Sequence, residues 1–151
     1  MPSKCKNAST IVVIVDTNAW IELFRRSGDP SVKLAMGHLV KAGEAYMSGP
    51  VLMELISGAR PDDLPRLKNS LRAYPMAQDP QRLWIDAGSN YSHLRAHGIT
   101  VPREDVLIAT VALFHRCRVY SSDSHFPAIA PILGLRLYTP GPGGTFVPDN
   151  S

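Results

Sequence analysis

Short, unbroken apolar runs alternate along the chain with longer segments that are apolar on one side only. Residues 11–15 are Ile-Val-Val-Ile-Val, the pattern of a strand covered on both faces within a parallel sheet. The segment after it sets Trp20, Ile21 and Phe24 on one side and Glu22, Arg25 and Arg26 on the other, which predicts an amphipathic helix. Ser27-Gly28-Asp29-Pro30 breaks that helix, and a second is expected over about 31–41. A short strand at 45–48 leads into a helix opened by Gly49-Pro50, since proline is tolerated in a first turn, and stopped near Gly58. Further helices are expected over about 64–74 and 80–97, the second with Leu83, Ala87, Tyr91 and Leu94 as its apolar stripe and Gly98 as its stop. Pro102 opens a helix that is apolar nearly all round from Val106 to Phe114, the mark of a buried element. Residues 118–121 and 135–138 read as two more strands. Strands alternating with helices predict an α/β fold with three layers, α/β/α, around a central, mostly parallel sheet.

The 151 residues suit one domain, expected over 11–138. Residues 1–10 form a polar lead-in, and 139–151, with three Pro and three Gly, a peripheral tail. A domain this long buries roughly 68–70% of its unfolded surface and needs no disulfide. Cys5 and Cys117 form no C-x-x-C pair, which excludes a zinc knuckle or a dithiol redox motif. No apolar run reaches the length of a membrane-spanning helix, and 11–15 is too short for a signal-peptide core. The expected location is therefore the cytoplasm. A net charge of +3 is compatible with a polyanionic partner without demanding one.

Against this background four acids stand out, because each interrupts an apolar stretch. They are Asp16 in I-V-V-I-V-D-T-N, Glu54 in P-V-L-M-E-L-I, Asp105 in E-D-V-L-I-A-T-V-A-L and Asp123 in C-R-V-Y-S-S-D-S-H-F. Buried carboxylates need a cation, a shared proton or a metal, and no Lys or Arg lies within Asp16's or Glu54's run. Asp16 and Asp123 follow strands, while Glu54 and Asp105 sit in early helix turns, so all four are expected at the carboxyl edge of the sheet, where open α/β sheets bind ligands. Each also has a purely structural reading. Asp16 or Thr17 would cap the first helix, Glu54 and Asp105 would gain ~0.3–1 kcal/mol from a helix dipole, and Asp123 would be a turn residue. Hard oxygen ligands without His or Cys favour Mg²⁺ or Mn²⁺ over zinc, and such a centre can activate water for attack on a phosphodiester.

In their order and contexts these motifs resemble the PIN-domain ribonucleases, and more narrowly the VapC-type toxins of bacterial toxin–antitoxin pairs. The matching residues are Asp16-Thr17-Asn18, Glu54 in M-E-L, Asp105–Ala109 and Ser121–Phe126, and the likeness runs from about Ile11 to Tyr138. The resemblance implies an endoribonuclease dependent on Mg²⁺ or Mn²⁺, with Asp16, Glu54, Asp105 and Asp123 as catalytic, metal-binding acids. Thr17, Asn18 and Ser121 would be polar supports around them. It further implies RNA as substrate, 5′-phosphate and 3′-hydroxyl products, arrest of translation and growth, a cognate antitoxin as partner, and a homodimer. One departure stands at His125, where many relatives carry a further acid.

Other readings fit less well. A haloacid-dehalogenase-like phosphatase needs a second Asp where this chain has Asn18, and a late lysine where the last one is Lys68. A PIN-like module that binds RNA or protein without cutting would have no reason to keep four such acids. His93 and His97 share a zinc-compatible spacing, but the metalloprotease Glu is absent, as Leu94 follows His93, and both fall on a polar helix face with Asp86 and Asn90.

Overall fold

A computed structural model describes residues 11–145; the expected lead-in at 1–10 and the last part of the tail, 146–151, lie outside the described residues. The chain folds as β1 (Val13–Val15), α1 (Thr17–Phe24), α2 (Pro30–Lys41), β2 (Ala45–Tyr46), α3 (Gly49–Ser57), α4 (Leu64–Leu71), α5 (Gln81–Ala96), α6 (Arg103–His115), β3 (Arg118–Tyr120) and α7 (His125–Leu133). A short 3₁₀ turn at Pro142–Gly144 follows.

The sheet is parallel in the order β2-β1-β3, with Val13 beside Ala45 and Arg118, and Val15 beside Tyr120. Successive residues of a strand point to opposite faces, and Val13, Ile14 and Val15 are all fully buried. Both faces of the central strand are therefore covered, as the β-branched run predicts for an α/β/α arrangement. Single parallel bridges widen the sheet at its edges, Met47 to Met76 beyond β2 and Val119 to Leu137 beyond β3. No helix among the described residues is long and apolar enough to cross a membrane.

Helix α6 is the packing centre, and its nearly all-round apolar pattern is matched by burial of Val106, Ile108, Ala109, Val111 and Ala112. Thr110 is accommodated inside because its hydroxyl donates to the Val106 carbonyl at 2.7 Å and accepts from Asn90 at 3.0 Å. Trp20, with no exposed surface, ties α1 to the sheet: its indole N–H donates to the Val15 carbonyl at 3.1 Å.

Three expectations are corrected. The helix expected over 64–74 ends at Leu71, because residues 75–77 turn back along β2, where the Met47 amide donates to the Pro75 carbonyl and the Ala77 amide to the Met47 carbonyl, each at 2.8 Å. The strand expected at 135–138 is one bridge rather than a strand; Val119 donates to Arg136 and receives from Tyr138, and the chain then leaves the sheet. The tail is not peripheral in its described part. Gly144 is buried against α2, with a φ of +79° and room so tight that a Cβ there would lie 2.9 Å from the Ala35 amide nitrogen.

Candidate active site

The carboxyl end of β1 opens into α1 through Asp16, whose extended backbone and side chain cap the helix by accepting from the Thr17 amide at 2.8 Å. This is the capping role expected of Asp16 from the sequence. The Asp16 amide donates to the Tyr120 carbonyl at 2.9 Å, so the ends of β1 and β3 are fastened side by side. The residue after Tyr120 is Ser121, and its hydroxyl donates to the other oxygen of Asp16 at 2.6 Å. The same hydroxyl accepts from the Asp123 amide at 2.9 Å, and Asp123 in turn accepts from the His125 amide at 2.9 Å. This run of turn-type bonds fixes the Ser121–His125 loop against Asp16. Asp105 arrives from the first turn of α6, and its carboxylate lies 2.7 Å from Nδ1 of His125, which is also 3.1 Å from Asp123.

Three of the four acids thus converge through Ser121 and His125. Asp16 and Asp105 are buried and Asp123 is half-buried. Glu54 departs from expectation, because it is exposed on α3. The buried face of that helix is Pro50, Val51 and Leu55, and the apolar neighbour Met53 is 60% exposed, so apolar surroundings in sequence did not mean burial in space. Glu54 still lies near enough to raise the Asp16 pKa by its charge. It borders a groove of about 740 Å³ between α1, α3 and α4, with Phe24, Arg25, Arg60 and Arg66 among its lining. Of the expected supports, Ser121 bonds Asp16 directly and Thr17 does so through its amide. The Thr17 hydroxyl is buried without a partner among the described residues, while Asn18 is exposed and joins none of the described bonds to the acids. His93 and His97 are exposed and pack on each other, ring centroids 4.5 Å apart, and neither belongs to the ligand group found among the described residues. His125 is the member whose role the sequence did not disclose; the D-x-H spacing of Asp123 and His125 was the available signal.

Crowding acids in a buried place has an electrostatic consequence. Burial pushes the Asp16 carboxyl above its ordinary value; the Ser121 and Thr17 hydrogen bonds oppose this, and the charges of Glu54 and Asp123 reinforce it. Asp105 is pushed up to about 6, by burial first, with the His125 hydrogen bond opposing and Asp16 and Asp123 reinforcing. Neither Lys nor Arg pairs with Asp16, Asp105 or Asp123 among the described residues. Carboxylates held this way are stabilised when a divalent cation neutralises them, so the donor set fits a hard metal ion. Asp105, Asp123 and His125 offer ligand atoms that all lie within 4.8 Å of one another.

A pH dependence follows. A carboxyl whose folded pKa exceeds its unfolded value of about 3.9 binds more protons folded than unfolded, so stability falls as pH rises through the interval between the two. For Asp105 that interval runs from about 4 to about 6. Melting curves in chelator should therefore show a downward component between those pH values that Asp105→Asn lacks, and Mg²⁺ or Mn²⁺ should remove it from the parent protein. Identical pH slopes in parent and variant would show that Asp105 carries no raised pKa.

The sequence matches the PIN domain family over residues 13–131. Ribonuclease VapC11 of Mycobacterium tuberculosis strain H37Rv is 33% identical over 131 residues, covering 83% of this chain and 96% of that protein. VapC ribonuclease Mb1587 of Mycobacterium bovis matches to the same extent, 33% over 131 residues. The fold is similar to that in a solved structure of VapBC2 from Rickettsia felis bound to a promoter DNA fragment, with a TM-score of 0.68 at 19% identity, covering 84% of this chain and 97% of that one. It is similar also to FitAcB from Neisseria gonorrhoeae, TM-score 0.66 at 19% identity, covering 85% of this chain and 97% of that one. With the parallel sheet, the acids at its carboxyl edge and these matches taken together, the chain belongs to the PIN domain family and is a relative of the VapC ribonucleases.

Proposed function

We propose that this protein is a divalent-metal-dependent endoribonuclease acting as the toxin of a toxin–antitoxin pair. The observation that carries the reading is the convergence of Asp16, Asp105 and Asp123 at the edge of a parallel sheet, with no Lys or Arg paired to them among the described residues. Family membership and the ribonuclease relatives point the same way. Asp16, Glu54, Asp105 and Asp123 are the catalytic acids in this reading, holding Mg²⁺ or Mn²⁺. The cation, when bound, supplies Lewis acidity that lowers the pKa of water and stabilises the oxygen departing from phosphorus.

The chain's own groups do the positioning. Ser121 holds one oxygen of Asp16 while the Thr17 amide holds the other, so the carboxylate cannot rotate away as charge builds. Ser121 also sets Asp123 through its amide, coupling two acids through one hydroxyl. Glu54, standing in solvent at the mouth, meets the RNA side of the centre. The substrate is single-stranded or loop RNA of the cytoplasm, and the products carry 5′-phosphate and 3′-hydroxyl ends. Cutting RNA needed for translation would slow growth. A cognate antitoxin would obstruct the centre from the groove that Glu54 borders, where Phe24 offers apolar surface and Arg25, Arg60 and Arg66 offer charge. A homodimer is part of the same reading.

The test is incubation of purified protein with total RNA in chelator, Mg²⁺ or Mn²⁺, followed by end mapping. Cleavage only with metal, leaving 5′-phosphate and 3′-hydroxyl ends, is expected. Metal-independent cleavage, or 2′,3′-cyclic phosphate ends, would sink the mechanism. Absence of both cleavage and metal binding would leave a non-catalytic binding module.

A further inference from the structure

We propose that His125 is itself a metal ligand, which makes this centre a mixed nitrogen–oxygen site that takes a first-row transition cation such as Mn²⁺ in preference to Mg²⁺. The inference rests on the acid cluster being a metal-dependent nuclease centre and goes further by naming a ligand and the class of ion it selects.

The argument starts with where α7 begins. His125 is the first residue of that helix, and its amide is held by Asp123 at 2.9 Å, so backbone and ring are fixed relative to the carboxylate two residues earlier. Nδ1 then stands 2.7 Å from Oδ2 of Asp105 and 3.1 Å from Oδ1 of Asp123. A hydrogen bond explains one of those contacts, since neutral imidazole has one proton to give through Nδ1. The convergence of one nitrogen and two carboxylate oxygens is what a cation's coordination edge needs. Adjacent ligands of an octahedral ion with metal–oxygen distances of about 2.1 Å are about 3 Å apart, and 2.7 and 3.1 Å bracket that spacing. The ring is 39% exposed while the Asp105 and Asp123 side chains are 11% and 24% exposed, so the centre is open on the His125 side to water, ion and substrate.

Ligand chemistry then decides between ions. Mg²⁺ is hard, binds oxygen and holds its waters. Imidazole nitrogen binds first-row transition ions more strongly, in the order of rising affinity from Mn²⁺ towards Cu²⁺. Exchanging an oxygen donor for this nitrogen shifts the site from Mg²⁺ towards those ions.

The experiment reads binding rather than cleavage. Mn²⁺ is added to the full-length metal-free protein and its electron spin echo is recorded, with parallel samples containing ¹⁵N-histidine and the variant His125→Gln. Modulation from a directly bonded imidazole nitrogen, altered by ¹⁵N and missing from His125→Gln that still binds Mn²⁺, is the expected result. Competition with Mg²⁺ should show the preference for Mn²⁺ falling on the order of tenfold in His125→Asp, which restores an oxygen donor. Melting curves confirm that both variants are folded. Bound Mn²⁺ without nitrogen modulation would overturn the inference and leave the metal-dependent nuclease reading standing. No bound Mn²⁺ in a folded parent protein would overturn both.

Discussion

Asp16→Asn is expected to lose more than about 100-fold of the RNA-cleaving activity, because disturbing even a residue behind a metal ligand costs about 10–100-fold. The same variant should melt at a higher temperature than the parent in chelator. The two effects have one source. Asp16 is buried, its pKa is raised by that burial, and the charges of Glu54 and Asp123 add to the strain. Asparagine keeps the shape and the local bonds: its carbonyl can accept from Thr17 as Oδ1 does now at 2.8 Å, and its amide can donate to the Ser121 oxygen, now at 2.6 Å. What it removes is a negative charge in a low-dielectric place with no cation paired to it among the described residues. Cleavage assays and chelator melts of parent and variant check both halves. Activity within tenfold of the parent would remove Asp16 from the mechanism, and a lower melting temperature would mean that the charge is compensated in the fold.

Trp20→Ala should be the most damaging single change to the fold, costing about 3–5 kcal/mol, a large share of the roughly 5–15 kcal/mol that holds a domain folded. Trp20 has no exposed surface. Its ring lies 5.9 Å from Phe24 in a stacked arrangement and 4.7 Å from Tyr74 in a tilted one, so truncation leaves a cavity between α1 and the chain after α4. It also removes the N–H that donates to the Val15 carbonyl, and a buried carbonyl left unpaired costs about 1–3 kcal/mol by itself. Trp20→Phe divides the contributions, since it keeps an aromatic six-membered ring in the core and loses the five-membered ring with its hydrogen-bonding N–H. Denaturant titrations should order the three as parent, Phe, Ala. An Ala variant within 1 kcal/mol of the parent would contradict the packing described. The Val15 carbonyl immediately precedes Asp16, so Trp20→Phe should also weaken metal binding more than its loss of stability alone explains.

The parts of the molecule legible in the sequence are those whose physics is local. The run at 11–15 could be buried on both sides only in a parallel sheet, and Val13–Val15 is that strand. The nearly all-apolar segment after Pro102 had to be an interior helix, and α6 is one. Asp16, Asp105 and Asp123 were conspicuous because a charge is costly among such neighbours, and they converge. Local pattern failed where packing overrides it. Helix α7 is one such place, since Pro127 and Pro131 argue against helix in the local pattern; the first falls in the first turn, where no amide bond is lost, and burial of Phe126 and Ile129 outweighs the second.

Glu54 looked buried from its neighbours, yet which side of α3 faces the core depends on where the sheet lies, and that is fixed by the whole fold. The role of His125 was equally hidden. An imidazole two residues after an aspartate has many possible surroundings, and only the approach of α6 brings Asp105 to 2.7 Å from its ring. The sequence by itself therefore determined the central strand, the interior helix and which acids stand out, because burial preference and periodicity act over a few residues. The tertiary structure decided which acids meet, which faces water and which histidine joins them, because these are distances between segments far apart along the chain.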